Sequence, residues 1–275
     1  MTSVLPPART AAAGLLTVRQ LLRVEDGEEL PALLWDAGPG WRMISSAVLG
    51  GGLGPRAWVL NAQVAHGYRR PDPDRHLAEL ARAAGAAGPG VGLMTAAEVR
   101  GRAHAEDGGA EAVVTSGVSV RGWAAAPPVP VRGRAAVPGG SAPAQPGSAP
   151  AEPGSAASRG SAPAQSGSAA APQGSAAPPE SAPAPGTINI LAALPVALTD
   201  SALVNAVATA TEAKVQALLD LGYDCSGTPT DAVCVAAREP RPGDPLHAFA
   251  GPRSPWGARL ARAVHQAVRE ATPAP

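Results

Sequence analysis

Of the 22 Lys and Arg residues in the chain, only Lys214 is a lysine, set in "TATEAKVQALLDLGYDCSGTPTDAVC". An ammonium inside an apolar helical pattern is costly to bury unless it is paired. Three outcomes are open: the stem snorkels along apolar surface, the ammonium pairs with a carboxylate, or it works as a charged donor. In a chain that otherwise uses arginine, a compact ammonium points to a place where a planar guanidinium does not fit. Thr228, Thr230 and Asp231 follow in "GTPTD", between the end of that helix and an apolar strand, where a loop presents side chains to a cleft. Asp231 is expected either to pair with Lys214 or to cap a turn.

Other chemistries find less support. No G-x-S-x-G nucleophile signature occurs, and the five histidines never reach H-x-H or H-E-x-x-H spacing, so no local zinc motif is present. Cys225 and Cys234 form no C-x-x-C pair and read as structural thiols. Gly50-Gly51-Gly52-Leu53-Gly54 lacks the Lys-Ser/Thr of a Walker A loop and does not fit G-x-G-x-x-G; it reads as a hairpin turn or as a backbone cradle for a polar ligand. Thr95 in "GLMTAAEV" reads as a helix N-cap before it reads as a nucleophile. A net charge of zero without a Lys/Arg block argues against nucleic acid and anionic membranes as partners. The apolar runs near the N-terminus and in "TINILAALPVAL" are too short or too interrupted for a signal segment or a membrane span. A soluble, cytoplasmic protein is expected.

The elements that must position these residues fall on both sides of an unusual tract. From Ala124 to Pro185 the sequence is almost entirely Ala, Pro, Ser, Gly and Gln, with Val137 the last aliphatic larger than alanine before Ile188. Such a segment buries too little apolar surface to offset its ordering entropy, so the expectation is a disordered insertion at 124–185 inside one domain formed by residues 1–123 and 186–275. Before it, "LLRVEDGEELPALLWD" predicts a hairpin turning at Asp26-Gly27, and "DPDRHLAELARAAG" a short amphipathic helix from Asp74 to Gly85. After it come a buried strand "GTINILAALP", a long helix from Thr199 or Asp200 to Gly222, the strand "TDAVCVAAR" and a last helix opening at Ser254-Pro255. Loose alternation of strands and helices predicts an α/β or α+β layered domain with a mixed sheet flanked by helices. At about 100° per residue, Leu203, Val207, Ala210, Ala217, Leu218 and Leu221 share one arc of the long helix. Lys214 falls near the centre of that arc, with Asn205, Thr209, Glu212 and Gln216 opposite.

Taken in order, "SSAVLGGG", "WVLNAQVAHGYRRPDPDRHL", "GPGVGLMTAAEV", "PGTINILAALPVALTDSALVNAVATATEAKVQALLDLG", "GTPTDAVCVA" and "FAGPRSPWGARLARAVHQAV" resemble the adenosylcobinamide amidohydrolase family. The resemblance covers most of the chain outside the tract and the first twenty residues, and it is most specific at "TATEAK" followed by "GTPTDAV". It implies corrinoid salvage, the hydrolysis of the amide joining aminopropanol to the corrin ring to give adenosylcobyric acid. A corrinoid is then the small-molecule partner, and cobalt enters only with that substrate. Amide hydrolysis needs an activated water or nucleophile, a stabilised oxyanion and a proton for the departing amine. The expected site joins Lys214 as charge stabiliser or proton donor, Asp231 or Glu212 as base, and Thr228, Thr230, Asn61 and Asn189 as polar contacts to the substrate. Glu212 can equally be a solvated residue of the polar face, and the two asparagines can equally satisfy backbone groups within strands. A non-catalytic corrinoid-binding or carrier protein is the competing function class.

Overall fold

The computed structural model describes residues 14–126 and 186–275; the expected disordered insertion at 124–185 lies, apart from Ala124–Ala126, outside the described residues. The chain opens with β1 (Val18–Glu25) and β2 (Glu28–Asp36), an antiparallel pair in which Glu25 faces Glu28. The two residues between them, Asp26 and Gly27, take φ of 49° and 85°, the left-handed pair that a two-residue hairpin requires. The expected turn is therefore where the sequence puts it.

Next come β3 (Trp41–Ser45), β4 (Gly52–Pro55), β5 (Trp58–Gln63), α1 (Pro73–Ala83) and β6 (Gly90–Thr95). Gly50 and Gly51 end the loop of the β3–β4 hairpin, and Gly52–Gly54 open β4, with Ser45 opposite Gly52. Gly50 cannot be replaced without a clash, because a Cβ there would run into the carbonyl oxygen of Gly90. Helix α1 begins at Asp72-Pro73, two residues before the expected N-cap, because proline at the first helical position brings its own helical φ. Thr95 is the last residue of β6, and its Oγ1 accepts from the Ala97 backbone N–H at 2.9 Å, closing a turn instead of starting a helix.

The rest comprises β7 (Ala103–Asp107), β8 (Ala110–Gly117), β9 (Thr187–Leu198), α2 (Asp200–Asp220), β10 (Ala232–Arg238), β11 (Leu246–His247) and α3 (Pro255–Ala271). The α/β layered class holds, with the strands divided between two mixed sheets. One runs β1-β2-β5-β6, the other β4-β3-β10-β9-β8-β7 with β11 beside β9. Trp35, Val59 and Leu93 of the smaller sheet pack against Met43, Val113, Leu191 and Cys234 of the larger. Leu77 and Ala81 of α1 cover the other face of the smaller sheet, and α2 and α3 cover the other face of the larger. The layers therefore run helix, sheet, sheet, helices. Covered on both sides, β9 is apolar along most of its length, as strands buried on both faces are. Its Pro195 falls at the register shift where Leu194 and then Ala197 pair with Ala237 and Arg238, a break in the ladder that tolerates a residue without an N–H.

Helix α2 starts with Thr199 as N-cap, its hydroxyl accepting from Ala202 at 3.2 Å, and ends before Gly222 at φ 90°. Its buried face is broader than the expected arc: Ala202, Ala206, Thr209 and Ala213 join Leu203, Ala210, Lys214, Ala217 and Leu218. Thr209, expected on the polar side, is buried because its hydroxyl donates to the Ala250 carbonyl at 2.8 Å. Broadening the arc toward the alanines moves Lys214 from its centre toward one side.

Candidate active site

Lys214 comes from the C-terminal half of α2, and Asp231 from the residue before β10, which runs parallel to β9. The Lys214 Nζ donates to Asp231 Oδ2 at 2.5 Å, and both side chains are nearly buried, 8% and 11% exposed. Asp231 receives three more hydrogen bonds: from the Ile188 backbone N–H at 2.9 Å and the Thr228 hydroxyl at 2.6 Å onto Oδ1, and from the Thr228 N–H at 3.1 Å onto Oδ2. A carboxylate offers roughly four acceptor positions, and these are filled. The ammonium differs. It has three donors, of which the described residues engage one, on Asp231.

Gly227 makes this approach possible. Its φ is 149°, and a Cβ on it would overlap both Asp231 Oδ2 and Lys214 Nζ, so the pair occupies the space that a side chain would take. The same glycine pairs with Gly122, its carbonyl accepting the Gly122 N–H at 3.1 Å while Ser226 N–H donates to Gly122 O at 3.0 Å. The segment after β8 is thereby fastened to the loop that carries Asp231. Thr230 lies beside the pair, its Oγ1 2.6 Å from that of Thr187 and donating to Gly186 O at 3.1 Å.

Asn61 and Asn189 also meet, but on the opposite face of the larger sheet, between the two sheets. Asn189 Nδ2 donates to Asn61 Oδ1 at 2.8 Å and to Met94 O at 3.1 Å, and Asn61 Nδ2 donates to Thr115 Oγ1 at 2.9 Å. Asn189 Oδ1 is buried without a partner among the described residues. The two clusters touch through the backbone alone, since Ile188, which bonds Asp231, precedes Asn189. Glu212 is exposed on α2 with no hydrogen bond or ion pair among the described residues. The fold thus gathers Lys214, Asp231 and Thr228 with Thr230 alongside, gathers Asn61 with Asn189 elsewhere, and leaves Glu212 outside both.

Thr187, Gly227 and Gly122 complete the surroundings of the pair and were not among the expected residues. Only Gly227 carried a signal, its place between Ser226 and Thr228 in a polar loop. A second ionisable cluster lies across the smaller sheet, where His76 on α1 bonds Tyr68 Oη through Nδ1 at 3.0 Å and Glu25 through Nε2 at 3.1 Å. Burial pushes the Glu25 carboxyl up, but the hydrogen bond and charge of Arg23, with His76, outweigh it and hold the group below the ordinary carboxylate range. Each of its members has a partner, which is how a structural histidine is satisfied.

Against known proteins, residues 16–274 match the family model described as adenosylcobinamide amidohydrolase. The chain belongs to that family. Among curated proteins it is similar to the adenosylcobinamide amidohydrolase of Halobacterium salinarum, 44% identical over 86 residues, covering 31% of this chain and 35% of that protein. It is also similar to the adenosylcobinamide amidohydrolase of Methanosarcina mazei, 38% identical over 90 residues, covering 30% of this chain and 45% of that one. The matched stretches span less than half the length of either curated relative. No solved structure matches. As an adenosylcobinamide amidohydrolase family member, the chain has among its described residues no helix long and apolar enough to cross a membrane.

Proposed function

We propose that the protein hydrolyses the amide joining aminopropanol to the corrin macrocycle of adenosylcobinamide, releasing 1-amino-2-propanol and adenosylcobyric acid in corrinoid salvage. Family membership supports the reaction class. The observation that carries the assignment to a site is the Lys214 ammonium, nearly buried beside one carboxylate with two of its N–H donors uncommitted among the described residues.

In that role, water adds to the amide carbon and negative charge develops on the former carbonyl oxygen. A fixed donor in a water-poor setting is worth most at that moment. Lys214 supplies the donor, and Asp231 aims it through the hydrogen bond between them. When the carbon–nitrogen bond breaks, Lys214 gives a proton to the amine nitrogen and regains the one that the added water sheds, so the ammonium is restored at the end of the turnover. Asp231, with its acceptor positions filled, is assigned the holding role and not that of base, and exposed Glu212 is assigned no role.

Incubating the purified protein with adenosylcobinamide and following free 1-amino-2-propanol by mass spectrometry tests the reading. Stoichiometric release is expected. Unchanged substrate accompanied by a spectral shift of the bound corrinoid would favour a carrier over a hydrolase.

A further inference from the structure

We infer that Trp123 is the platform on which the macrocycle of the substrate rests while its amide arm reaches Lys214, an inference that rests on the proposed corrinoid reaction. The burial of the pair sets the problem. A side chain 8% exposed is accessible to a narrow arm and not to a flat macrocycle, so the bulk of a corrinoid must stay outside, on whatever surface borders the loop that carries Asp231.

That border is the segment that follows β8. Gly122 faces Gly227 across an isolated bridge, and Gly227 is the residue on which a Cβ would overlap both Lys214 Nζ and Asp231 Oδ2. The residue after Gly122 is Trp123, 45% exposed, with Val120 also exposed nearby in sequence. The other four tryptophans of the chain, Trp35, Trp41, Trp58 and Trp256, are buried or partly buried. Trp123 is nevertheless held in place. Its indole N–H donates to Asp224 Oδ1 at 3.0 Å, the next residue's N–H donates to Ser226 Oγ at 2.9 Å, and the preceding Arg121 stacks on Tyr223 at 4.9 Å. An indole fixed at its polar edge with its ring in solvent is a preorganised apolar surface. The methyl groups on the rim of a corrin give this substrate apolar surface beside its amide arms, and the platform is continuous with the loop where the amide must arrive.

The test compares wild type, Trp123→Ala and Trp123→Phe for hydrolysis of adenosylcobinamide and of a small N-(2-hydroxypropyl) amide lacking the macrocycle, with sedimentation at assay concentration. Trp123→Ala is expected to raise KM for adenosylcobinamide about tenfold or more while leaving kcat within about twofold, the signature of lost uniform binding. Trp123→Phe should recover most of the affinity, and the small amide should be cleaved equally by all three proteins. An unchanged KM for adenosylcobinamide in Trp123→Ala overturns the platform while leaving the reaction intact. So does a Trp123→Ala protein whose main change is in oligomeric state, since the ring would then serve a second copy of the chain. Failure of wild type to bind or cleave adenosylcobinamide would sink the underlying reaction instead, and the platform with it.

Discussion

Lys214 and Asp231 form a pair in which one partner is saturated and the other is not, and that asymmetry sets what each substitution does. Replacing Lys214 with methionine keeps the packed stem and removes the charge. Asp231 then retains its bonds from Ile188 and Thr228, so the expected stability loss is about 1–3 kcal/mol, as for one lost charge-assisted bond, and not the roughly 3–5 kcal/mol of a stripped buried charge. Turnover should fall by about two orders of magnitude or more, as when a charge-stabilising donor is removed. Thermal unfolding and amide hydrolysis measured on the same variant check both; a folded Lys214→Met protein with wild-type turnover would remove Lys214 from the chemistry. The cysteines make the opposite case. Burial pushes the Cys234 thiol up to about 12, and Cys225 is fully buried as well. Because the thiolate is the reactive form, a disulfide reagent should label neither in the native protein at neutral pH and both after denaturation. Rapid labelling of the folded protein would show that one of them opens to solvent.

At the scale of elements, α2 and the loop before β10 converge only because Gly227 has no side chain. Gly227→Ala introduces a Cβ into the space of the pair and demands a φ that L residues rarely take, a strain of about 1–3 kcal/mol. The expected result is a folded protein of lowered melting temperature whose hydrolytic rate falls nearly as far as that of Lys214→Met. A variant that loses stability yet keeps its rate would mean that the spacing of the two groups does not matter. The bounds of α2 were legible in the sequence because Thr199 and Gly222 are strong local start and stop chemistry, and the Lys214–Asp231 meeting was legible from helix periodicity plus a short loop. The breadth of the buried face was not. Alanines count weakly in a hydrophobic pattern, and a threonine looks polar until a carbonyl from a distant loop, here Ala250, accepts its hydroxyl. Likewise, apolar runs put Asn61 and Asn189 in strands, but which face of a strand meets another sheet depends on pairings that local sequence does not encode.

At the scale of the molecule, the division of strands into two sheets was invisible for the same reason, while the place of the low-complexity tract within one domain was readable from family-like motifs on either side of it. The geometry at its ends explains how one domain accommodates it. Strands β8 and β9 are antiparallel neighbours, with Gly117 opposite Thr187, and Gly186 packs against Gly117 and Val120. The whole connection therefore starts and finishes at one sheet end, as a hairpin loop does, and its described flanks are already tied down by the Gly122–Gly227 bridge and by the Thr230 bond to Gly186. Deleting Gly140 to Ser181 keeps both anchors and shortens the connection from about seventy residues to under thirty, which changes loop-closure entropy by less than about 1 kcal/mol. The shortened protein is expected to unfold within a few degrees of the full chain and to hydrolyse adenosylcobinamide at the same rate. Because the anchors border Lys214 and Asp231, the two readouts separate two failures. Lost stability would mean that the deleted residues contribute packing to the domain. A retained melting temperature with a lost rate would mean that they bear on the site itself, and would overturn the view that the anchors alone carry the connection's role.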